Sequence, residues 1–368
     1  MPYNLNPSNS DTRVFKVAAV QAEPVWLDLQ GSVQKTIDII QEASKEGAKI
    51  IGFPELFIPG NNSRRGCHLF VLNGSSGYPW TPWANNFLEC QSVLSQYNAN
   101  SLPLHSPEMA RICDAVMEAG ATVVLGFSER DGGSLYISQV TITSDGKIAN
   151  HRRKIKPTHY EKTVFADGSA QSIYNVVQTE HGRVGSLNCW EHIQPFLKCH
   201  FYAQHPQIFV GGWWPAFPPF TGGSPYIVSG EASSRMTQLV AMEGGCFALV
   251  GCQVVSEAGA KKMKMTGFPW FKFPGGGFST IYGPDGSHLT EPVDPGVEAI
   301  LYAEISLDKI AEVKIVADMM GNYSRNDLLH IVASGQNWDR VKYNNADEAA
   351  AAAARDQEVD NAAAARFH

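Results

Sequence analysis

A cysteine at the end of a predicted strand is the clearest candidate nucleophile in the sequence. Cys189 follows the predicted strand Arg183–Leu187 and precedes the predicted helix Pro195–Ala203. A thiolate in such a position can be stabilised by the N-terminal end of a helix. Free cysteine is also among the most buried residue types, so a structural thiol is the simpler interpretation of Cys189 taken alone.

A glutamate ends another predicted strand. Glu55 follows Lys49–Phe53, and α/β proteins usually keep their ligand sites at the carboxyl ends of parallel strands. Taken alone, a surface or capping glutamate is the simpler interpretation of Glu55. Glu55 therefore does not identify a reaction by itself, and either role is open at this point.

A basic segment lies between these two candidates. Residues 150–156 include five basic side chains when His151 is counted. A solvated loop or a nucleic-acid patch would have this composition, but Ile155 and Pro157 interrupt the run. The whole chain has 29 Lys and Arg against 36 Asp and Glu, a net charge of −7. A nucleic-acid partner is therefore not expected, since phosphate binding favours a basic face.

The order of these segments resembles the nitrilase superfamily. The chain carries Phe53-Pro-Glu55, then Arg152-Arg-Lys-Ile-Lys-Pro-Thr-His-Tyr-Glu161, then Asn188-Cys-Trp-Glu-His192. The similarity extends over nearly all of residues 15–335. The Cys-Trp-Glu-His form, Trp214-Pro215 and the Pro-Gly-Gly-Gly run at 274–277 look most like fungal nitrilases that act on arylacetonitriles.

The resemblance implies a Cys-Glu-Lys catalytic set on an α/β fold with four α-β-β-α layers. Cys189 would attack the nitrile carbon as a thiolate, and Glu55 would accept its proton and later activate water. Lys154 would stabilise the developing negative charge, and Glu161 would hold Lys154 charged and oriented. No metal or cofactor is needed for this chemistry.

Hydrolysis of an arylacetonitrile or similar aromatic nitrile to acid and ammonia is the function that the resemblance favours. Trp190, Trp214 and Tyr78 are predicted to contact the substrate, although Trp190 could equally pack beneath the cysteine. Glu191 is expected to cap or orient backbone rather than to react. His192 is not expected to act as a base, because a glutamate already fills that role.

Other activities stay open beside this one. Cyanide hydratases, which convert cyanide to formamide, resemble these enzymes closely but more often have Asn where His192 stands, so this activity is placed second. An amidase or carbamoyl hydrolase is placed third. A catalytically inactive paralogue that only oligomerises is the alternative from a different class.

One segment interrupts the family pattern. Residues 61–77 separate Ile58-Pro-Gly60 from Tyr78-Pro-Trp80, and removing them restores a continuous family motif. Our hypothesis is an unspliced short intron read in frame; a genuine loop at the substrate mouth is the alternative, and it would favour the inactive paralogue. Sequencing the spliced transcript decides, because the intron idea fails if these codons are present in mature message.

Alternating strands and helices must position these residues, which predicts an α/β layered domain. The predicted strands are Phe15–Ala22, Lys49–Phe53, Ala121–Ser128, Leu135–Thr143, Arg183–Leu187, Gln207–Gly212, Cys246–Val254, Gly277–Tyr282 and Ala299–Ile305. The predicted helices are Asp28–Glu46, Glu108–Glu118, Pro195–Ala203 and Ala232–Glu243.

A single catalytic domain is predicted over residues 15–335, between a polar leader at 1–14 and an alanine-rich tail at 336–368, which is expected to be a frayed helix or a disordered extension. The seven cysteines are scattered without a CxxC pair, so neither a disulfide framework nor a zinc site is expected. The sequence contains no run of about eighteen apolar residues, so a membrane partner is not expected. We expect a cytoplasmic homo-oligomer, built from dimers that could stack into spirals, acting on a small nitrile.

Overall fold

The computed structural model describes residues 14–60, 94–217, 225–263 and 271–334. Most of the predicted leader, the 61–77 segment, Tyr78 and the tail at 336–368 lie outside these residues, so the expectations about them stay predictions. None of the helices in the described ranges is long and apolar enough to cross a bilayer.

Strands and helices alternate along the described chain. The strands are β1 (Val14–Ala22), β2 (Ala48–Gly52), β3 (Thr122–Asp131), β4 (Ser134–Ile142), β5 (Ile148–Arg153), β6 (Val176–Thr179), β7 (Gly182–Asn188), β8 (Ile208–Trp213), β9 (Phe247–Gln253), β10 (Thr280–Tyr282) and β11 (Ala299–Ser306). The helices include α1 (Leu29–Lys45), α2 (Pro107–Ala119), α3 (Pro195–Ala203), α4 (Gly230–Gly244), α5 (Glu257–Lys262) and α6 (Asp308–Val316). Every predicted element is present with its bounds within three residues of the expected ones.

The strands form one sheet that folds into two halves. Its order is β5-β4-β3-β2-β1-β9-β8-β7-β6, with β11 added to β1 and β10 added to β9. The halves join where the end of β1 pairs with β9, through Gln21 opposite Cys252 and Ala22 opposite Gln253. Strands β1, β2 and β3 run parallel, as do β7, β8 and β9, so each half presents carboxyl ends of strands at an edge.

Alternation of apolar side chains produces the four layers that the resemblance implied. In β1, Val17 and Ala19 pack between the two halves of the sheet, whereas Ala18 and Val20 pack with residues of α1 and α2. In β9, Leu249 faces the first half, while its neighbours on the other face pack with α3 and α4. The arrangement is therefore α-β-β-α, and the predicted fold class is confirmed.

Helix α1 illustrates how local sequence fixes an element. Its buried residues Val33, Ile37 and Ile40 fall on one face at helical spacing, which is the pattern of an amphipathic helix. Asp28 precedes the helix, and its Oδ1 accepts a hydrogen bond from the Gly31 N–H at 2.9 Å. That bond satisfies one of the backbone donors that a helix start leaves unpaired.

The interpretation of the basic segment as a solvated loop is wrong. Ile148–Arg153 is strand β5, paired antiparallel with β4, and Arg152 and Lys154 are each only 1% exposed. Alternate side chains of a strand point to opposite faces, so Arg152 and Arg153 enter different layers. Burial of a charge requires a partner, and both arginines have buried carboxylate partners.

Glu129 holds one face of β5 against β3. Its carboxylate accepts hydrogen bonds from Ser138, His151 and Arg153, and its side chain is only 2% exposed. Burial alone would raise the pKa of Glu129, but the bonds from His151 and Arg153 outweigh it and lower the pKa to about 2.

Acid should therefore weaken the fold through Glu129. A carboxyl whose pKa is depressed in the folded state contributes stability that is lost as the pH falls from 4.5 to about 2; the shift corresponds to roughly 3 kcal/mol. We expect Glu129→Gln to lower the free energy of unfolding at pH 7 and to flatten its dependence on pH across that window, as measured by urea unfolding. Glu231→Gln, which removes an exposed pair with Arg235, should change little; equal losses in the two variants would contradict the assignment.

Candidate active site

A lysine and two glutamates form a buried ionic cluster. Lys154 Nζ donates hydrogen bonds to Glu55 Oε1 and to Glu161 Oε2, each at 2.8 Å. The three residues are 1%, 0% and 6% exposed, respectively. The sequence expectation that Glu161 orients Lys154 therefore agrees with the geometry, although the catalytic roles stay a proposal.

The backbone after β2 turns sharply to present Glu55. Leu56 has a φ of +51°, and the Gln253 Nε2 group donates to the carbonyl oxygens of Glu55 and Leu56 at 2.7 and 2.9 Å. Close passage of this segment requires a glycine in the neighbouring strand, because a Cβ at Gly126 would lie 2.3 Å from the Pro54 carbonyl oxygen. Gln253 is a residue of this site that the sequence did not single out.

Lys154 and Glu161 are placed by two short structural features. The Lys154 N–H donates to the Ile137 carbonyl at 2.7 Å, which fixes the residue just beyond the end of β5. Glu161 lies in the 3₁₀ turn His159–Thr163, and its Oε2 also accepts the Thr158 N–H at 2.6 Å. The carboxylate is thus held by the backbone while it faces the lysine.

Cys189 starts a short 3₁₀ turn, Cys189–Ile193, directly after β7. Its φ of +49° is a left-handed conformation that L residues seldom adopt, so the chain reverses sharply at the thiol. The side chain is 2% exposed and lies close enough to Lys154 and both glutamates for their charges to affect its pKa. The structure therefore brings the four residues 55, 154, 161 and 189 to one place.

Burial dominates the proton affinities of this cluster. Desolvation raises the pKa of Glu55 to about 8, although the Lys154 charge opposes it. Desolvation also raises the pKa of the Cys189 thiol well above its usual value, and the nearby glutamates add to that effect. For Lys154 burial would lower the pKa, but the charges of Glu161 and Glu55 raise it well above the ordinary value.

The resting site consequently holds a neutral thiol beside an ammonium ion. The strand end was expected to stabilise a thiolate, but the pKa of Cys189 is raised, because burial outweighs the Lys154 charge and the hydrogen bond from the Trp190 backbone, which both lower it. A neutral thiol needs a base to remove its proton before it can act as a nucleophile, and the buried Oε2 of Glu55 has no hydrogen-bond partner among the described residues.

The raised pKa of Glu55 predicts how activity depends on pH on the acid side of the pH–rate profile, which we call the acid limb. A general base must be ionised, so kcat/KM should rise about tenfold per pH unit on the acid side and level off near pH 8. The measurement is initial rate against pH, with substrate concentration corrected for its own ionisation. Glu55→Gln should lose roughly 100- to 10,000-fold in rate together with this limb. A wild-type profile that is flat below pH 8 would contradict the assignment of Glu55 as the base.

The predicted substrate-binding aromatics separate into two groups. Trp190 and Trp214 pack against the apolar cluster that contains Cys189, Trp213 and residues of α3 and α4. This position fits either a pocket wall or packing beneath the cysteine, so their contact with substrate stays a prediction. Tyr78 lies outside the described residues.

His192 is built into the protein interior. It is 0% exposed, its Nδ1 contacts the Cys189 carbonyl oxygen, and its ring stacks on Trp213 with centroids 4.6 Å apart. Desolvation lowers the pKa of His192 to about 3, so the ring is neutral at neutral pH. A Cβ at Gly211 would lie 2.6 Å from Nε2, which explains the glycine there. These contacts agree with the expectation that His192 is not the base.

Within the described residues, no group of three or more His, Cys, Asp and Glu side chains has the arrangement of a metal site. The arrangement is that of a thiol, a carboxylate and an ammonium group in a dry environment. Such a set can add sulfur to an electrophilic carbon, move the proton and stabilise the resulting negative charge.

Comparison with known proteins identifies the family. The profile of the carbon-nitrogen hydrolase family matches residues 16–315. This chain belongs to the carbon-nitrogen hydrolase family. It is a member of the nitrilase superfamily, as the three motifs indicated, and it is a hydrolase that acts on carbon–nitrogen bonds.

Two curated relatives and one solved structure are similar to this chain over most of its length. A cyanide hydratase from Armillaria gallica is 72% identical over 363 residues, covering 98% of this chain and 97% of the relative. An arylacetonitrilase from Aspergillus kawachii is 43% identical over 342 residues, covering 93% of this chain and 98% of the relative. Among solved structures, a carbon-nitrogen hydrolase from Helicobacter pylori superposes with a TM-score of 0.60 at 18% identity, covering 85% of this chain and 96% of that one. The last similarity concerns the fold.

Proposed function

We propose that this carbon-nitrogen hydrolase hydrates cyanide to formamide. The observation that carries the proposal is the 72% identity to a cyanide hydratase over almost the whole of both chains, against 43% to an arylacetonitrilase. The family motifs had favoured arylacetonitriles first and cyanide second. Full-length similarity reverses that order.

The residue that had placed cyanide second is a poor guide to substrate. By motif alone, His192 argues against a cyanide hydratase, because Asn is more frequent at that position in the subgroup. The buried ring packs between Trp213 and the backbone of Cys189, and its exposure is 0%. A side chain in that position supports the turn rather than selecting a substrate.

The proposed reaction proceeds in three balanced steps. The Cys189 sulfur adds to the carbon of HCN while the thiol proton reaches the nitrogen through Glu55, giving a thioimidate. Water then adds to the same carbon, and Glu55 accepts one of its protons and passes it to the nitrogen, which gives a tetrahedral intermediate with a hydroxyl and an amino group. In the last step the carbon–sulfur bond of this intermediate breaks, the hydroxyl proton passes to the departing sulfur through Glu55, and formamide leaves with the original nitrogen still attached.

Lys154 supports the two charged stages of this sequence. Negative charge develops on nitrogen during the first addition and on sulfur when the product departs, and a fixed ammonium group stabilises both in a site with little water. Glu161 keeps the ammonium oriented through its 2.8 Å hydrogen bond. Departure of sulfur before the nitrogen is lost as ammonia is what distinguishes a hydratase from an acid-producing nitrilase.

Burial of the site is consistent with a very small substrate. Glu55, Lys154 and Cys189 are at most 2% exposed, and HCN has only two non-hydrogen atoms. Hydrolysis of arylaliphatic nitriles is the second candidate. It is supported by the relation to arylacetonitrilases and by the position of Trp190 and Trp214 against the cluster that contains Cys189.

A direct comparison of substrates tests the proposal. The purified protein is given cyanide, phenylacetonitrile or an amide, and formamide, ammonia and acid are measured under identical conditions. Formamide from cyanide at a kcat/KM well above that for phenylacetonitrile is the expected result. Ammonia and acid from phenylacetonitrile with little turnover of cyanide would overturn the proposal in favour of the second candidate. If a folded protein forms no product from any of the three substrates, the inactive paralogue would be favoured.

We also propose that the protein forms a homo-oligomer, as its superfamily resemblance implies. Exposed apolar residues on α3 and α4 support this, since Phe196 is 78% exposed, Leu239 42% and Met242 41%. Burial of such groups against another copy would remove them from water. Light scattering on the purified protein measures the assembly size.

A further inference from the structure

Glu191 connects the segment that carries Lys154 to the turn that carries Cys189. Its Oε1 accepts the Ile155 N–H at 2.9 Å, and its Oε2 accepts the Asn188 N–H at 2.9 Å. Ile155 directly follows the lysine, and Asn188 directly precedes the cysteine. One carboxylate group therefore bonds to the backbone beside both reacting residues.

Arg152 anchors this carboxylate to the sheet. Its Nη2 donates to Glu191 Oε1 at 2.6 Å, and its Nη1 donates to Gln139 Oε1 on β4 at 2.8 Å. The side chains of Arg152 and Glu191 are 0% and 3% exposed. A buried pair with its remaining donors and acceptors satisfied has a defined geometry, so the turn at Cys189 is fixed relative to β4 and β5.

The charge of Glu191 also affects the pKa of Glu55, the proposed base. Burial would raise the pKa of Glu191, but the Arg152 charge and the hydrogen bonds it receives lower it below the usual value. The group is therefore an anion at neutral pH, and its charge contributes to the raised pKa of Glu55. Replacing it by a neutral group should move the acid limb of the rate profile to lower pH.

We propose that Glu191, held by Arg152, is a positioning residue for the reaction: it sets the separation between the Cys189 thiol and the Lys154 ammonium group. This rests on the proposed function only in taking Cys189 as nucleophile and Lys154 as the stabilising cation. Misplacement of a reacting group by about 1 Å can cost on the order of 100-fold in rate. The hydrogen bonds of Glu191 to the backbone of Ile155 and Asn188 are contacts that prevent such a misplacement.

A merely stabilising ion pair is the alternative, and the opposite face of β5 provides the matched control. Glu129 is as buried as Glu191, at 2% exposure, and pairs with Arg153, the residue next to Arg152. Its hydrogen bonds go to Ser138, His151 and Arg153 rather than to the turn at Cys189. Loss of either carboxylate removes the buried partner of an arginine, but only loss of Glu191 removes a hydrogen bond to the backbone beside Cys189.

The experiment compares Glu191→Gln with Glu129→Gln in the full-length protein. Glutamine has the shape of glutamate but offers one oxygen, so at least one of the two backbone N–H groups loses its acceptor. Formamide production from cyanide, alkylation of Cys189 by iodoacetamide followed by peptide mass spectrometry, and thermal unfolding are measured for each. Rates are expressed per folded molecule.

For Glu191→Gln we expect kcat to fall by about 100-fold with KM changed only a few-fold, slower alkylation of Cys189, and an acid limb shifted to lower pH. For Glu129→Gln we expect a lower melting temperature with kcat, alkylation rate and pH limb unchanged. Wild-type kcat in Glu191→Gln, or an equal loss of kcat in Glu129→Gln, would overturn the proposal.

The experiment also covers a variant that does not fold and a wild type that does not turn over cyanide. If Glu191→Gln fails to fold, the double variant Arg152→Gln with Glu191→Gln removes the unpaired buried charge; it should show the same loss of kcat, and wild-type kcat in it would overturn the proposal. If the wild type does not turn over cyanide, the proposed function fails, while the alkylation rates of the two single variants still decide whether Glu191 positions the thiol.

Discussion

Cys189→Ala should abolish turnover of cyanide while the protein stays folded. Removal of a nucleophile that forms the covalent intermediate leaves no route through the thioimidate, and losses of roughly ten-thousand-fold or more are typical of such changes. The small side chain fits where the thiol was, so the melting temperature should change little. The measurement is formamide production per mole of folded protein.

The control for this variant is another buried thiol. Cys246 is 0% exposed and packs in the same apolar cluster as Cys189, and burial raises the pKa of its thiol to about 12. Cys246→Ala should keep kcat close to that of the wild type. Retention of turnover in Cys189→Ala, or its loss in both variants, would rule out Cys189 as the unique nucleophile.

Lys154→Gln has the second-largest expected effect. The variant loses the charge that stabilises the developing anion, and removal of one such donor costs roughly 100- to 1,000-fold in kcat. It also leaves Glu55 and Glu161 facing each other in a buried site, where like charges raise the pKa of a carboxyl group. Both effects lower the rate, so kcat should fall at every pH and the acid limb should move to higher pH.

A second Lys–Glu pair, in which the lysine is buried and the glutamate is partly exposed, serves as the comparison for Lys154. Lys198 on α3 donates to Glu243 at 2.5 Å, and Lys198 is 7% exposed. Lys198→Gln should lower the free energy of unfolding and leave kcat unchanged. If Lys154→Gln changes only stability, as Lys198→Gln is expected to, then Lys154 is a structural residue and the proposed electrostatic role is wrong.

Apolar periodicity was sufficient to predict most of the elements that build the layers. The spacing of Val33, Ile37 and Ile40 predicts α1, and the structure buries all three. The same criterion missed β5, because Asn150, His151 and Arg152 give it no apolar alternation. Its buried side chains are instead polar and are stabilised by carboxylates on other elements, so no local pattern could reveal their burial.

The clustering of the four proposed catalytic residues could be predicted from motif order, but their environment could not. Glu55, Lys154, Glu161 and Cys189 each stand at a recognisable motif position, and the structure brings them together. The neutral state of the resting thiol depends on burial, which the sequence does not state. The contact between Glu191 and Arg152 joins residues 39 positions apart, so it became visible only when the fold placed β5 beside the cysteine turn.

Substrate preference was the point at which motif reasoning was least informative. Short motifs around the cysteine contain mainly residues that shape the turn, such as His192 and Glu191, whose side chains are 0% and 3% exposed. In α/β proteins, residues that contact a ligand usually lie on the loops between strands and helices. Identity across the whole chain samples those segments, and it favours the cyanide hydratase relative.

The most direct test of the account follows both atoms of the substrate. Cyanide labelled with carbon-13 and nitrogen-15 is incubated with the enzyme, and the products are observed by nuclear magnetic resonance. If sulfur adds to the carbon and departs before nitrogen does, the labelled carbon appears in formamide that is still bonded to nitrogen-15. Formate accompanied by free labelled ammonia, or unchanged cyanide in the presence of folded protein, would contradict the account.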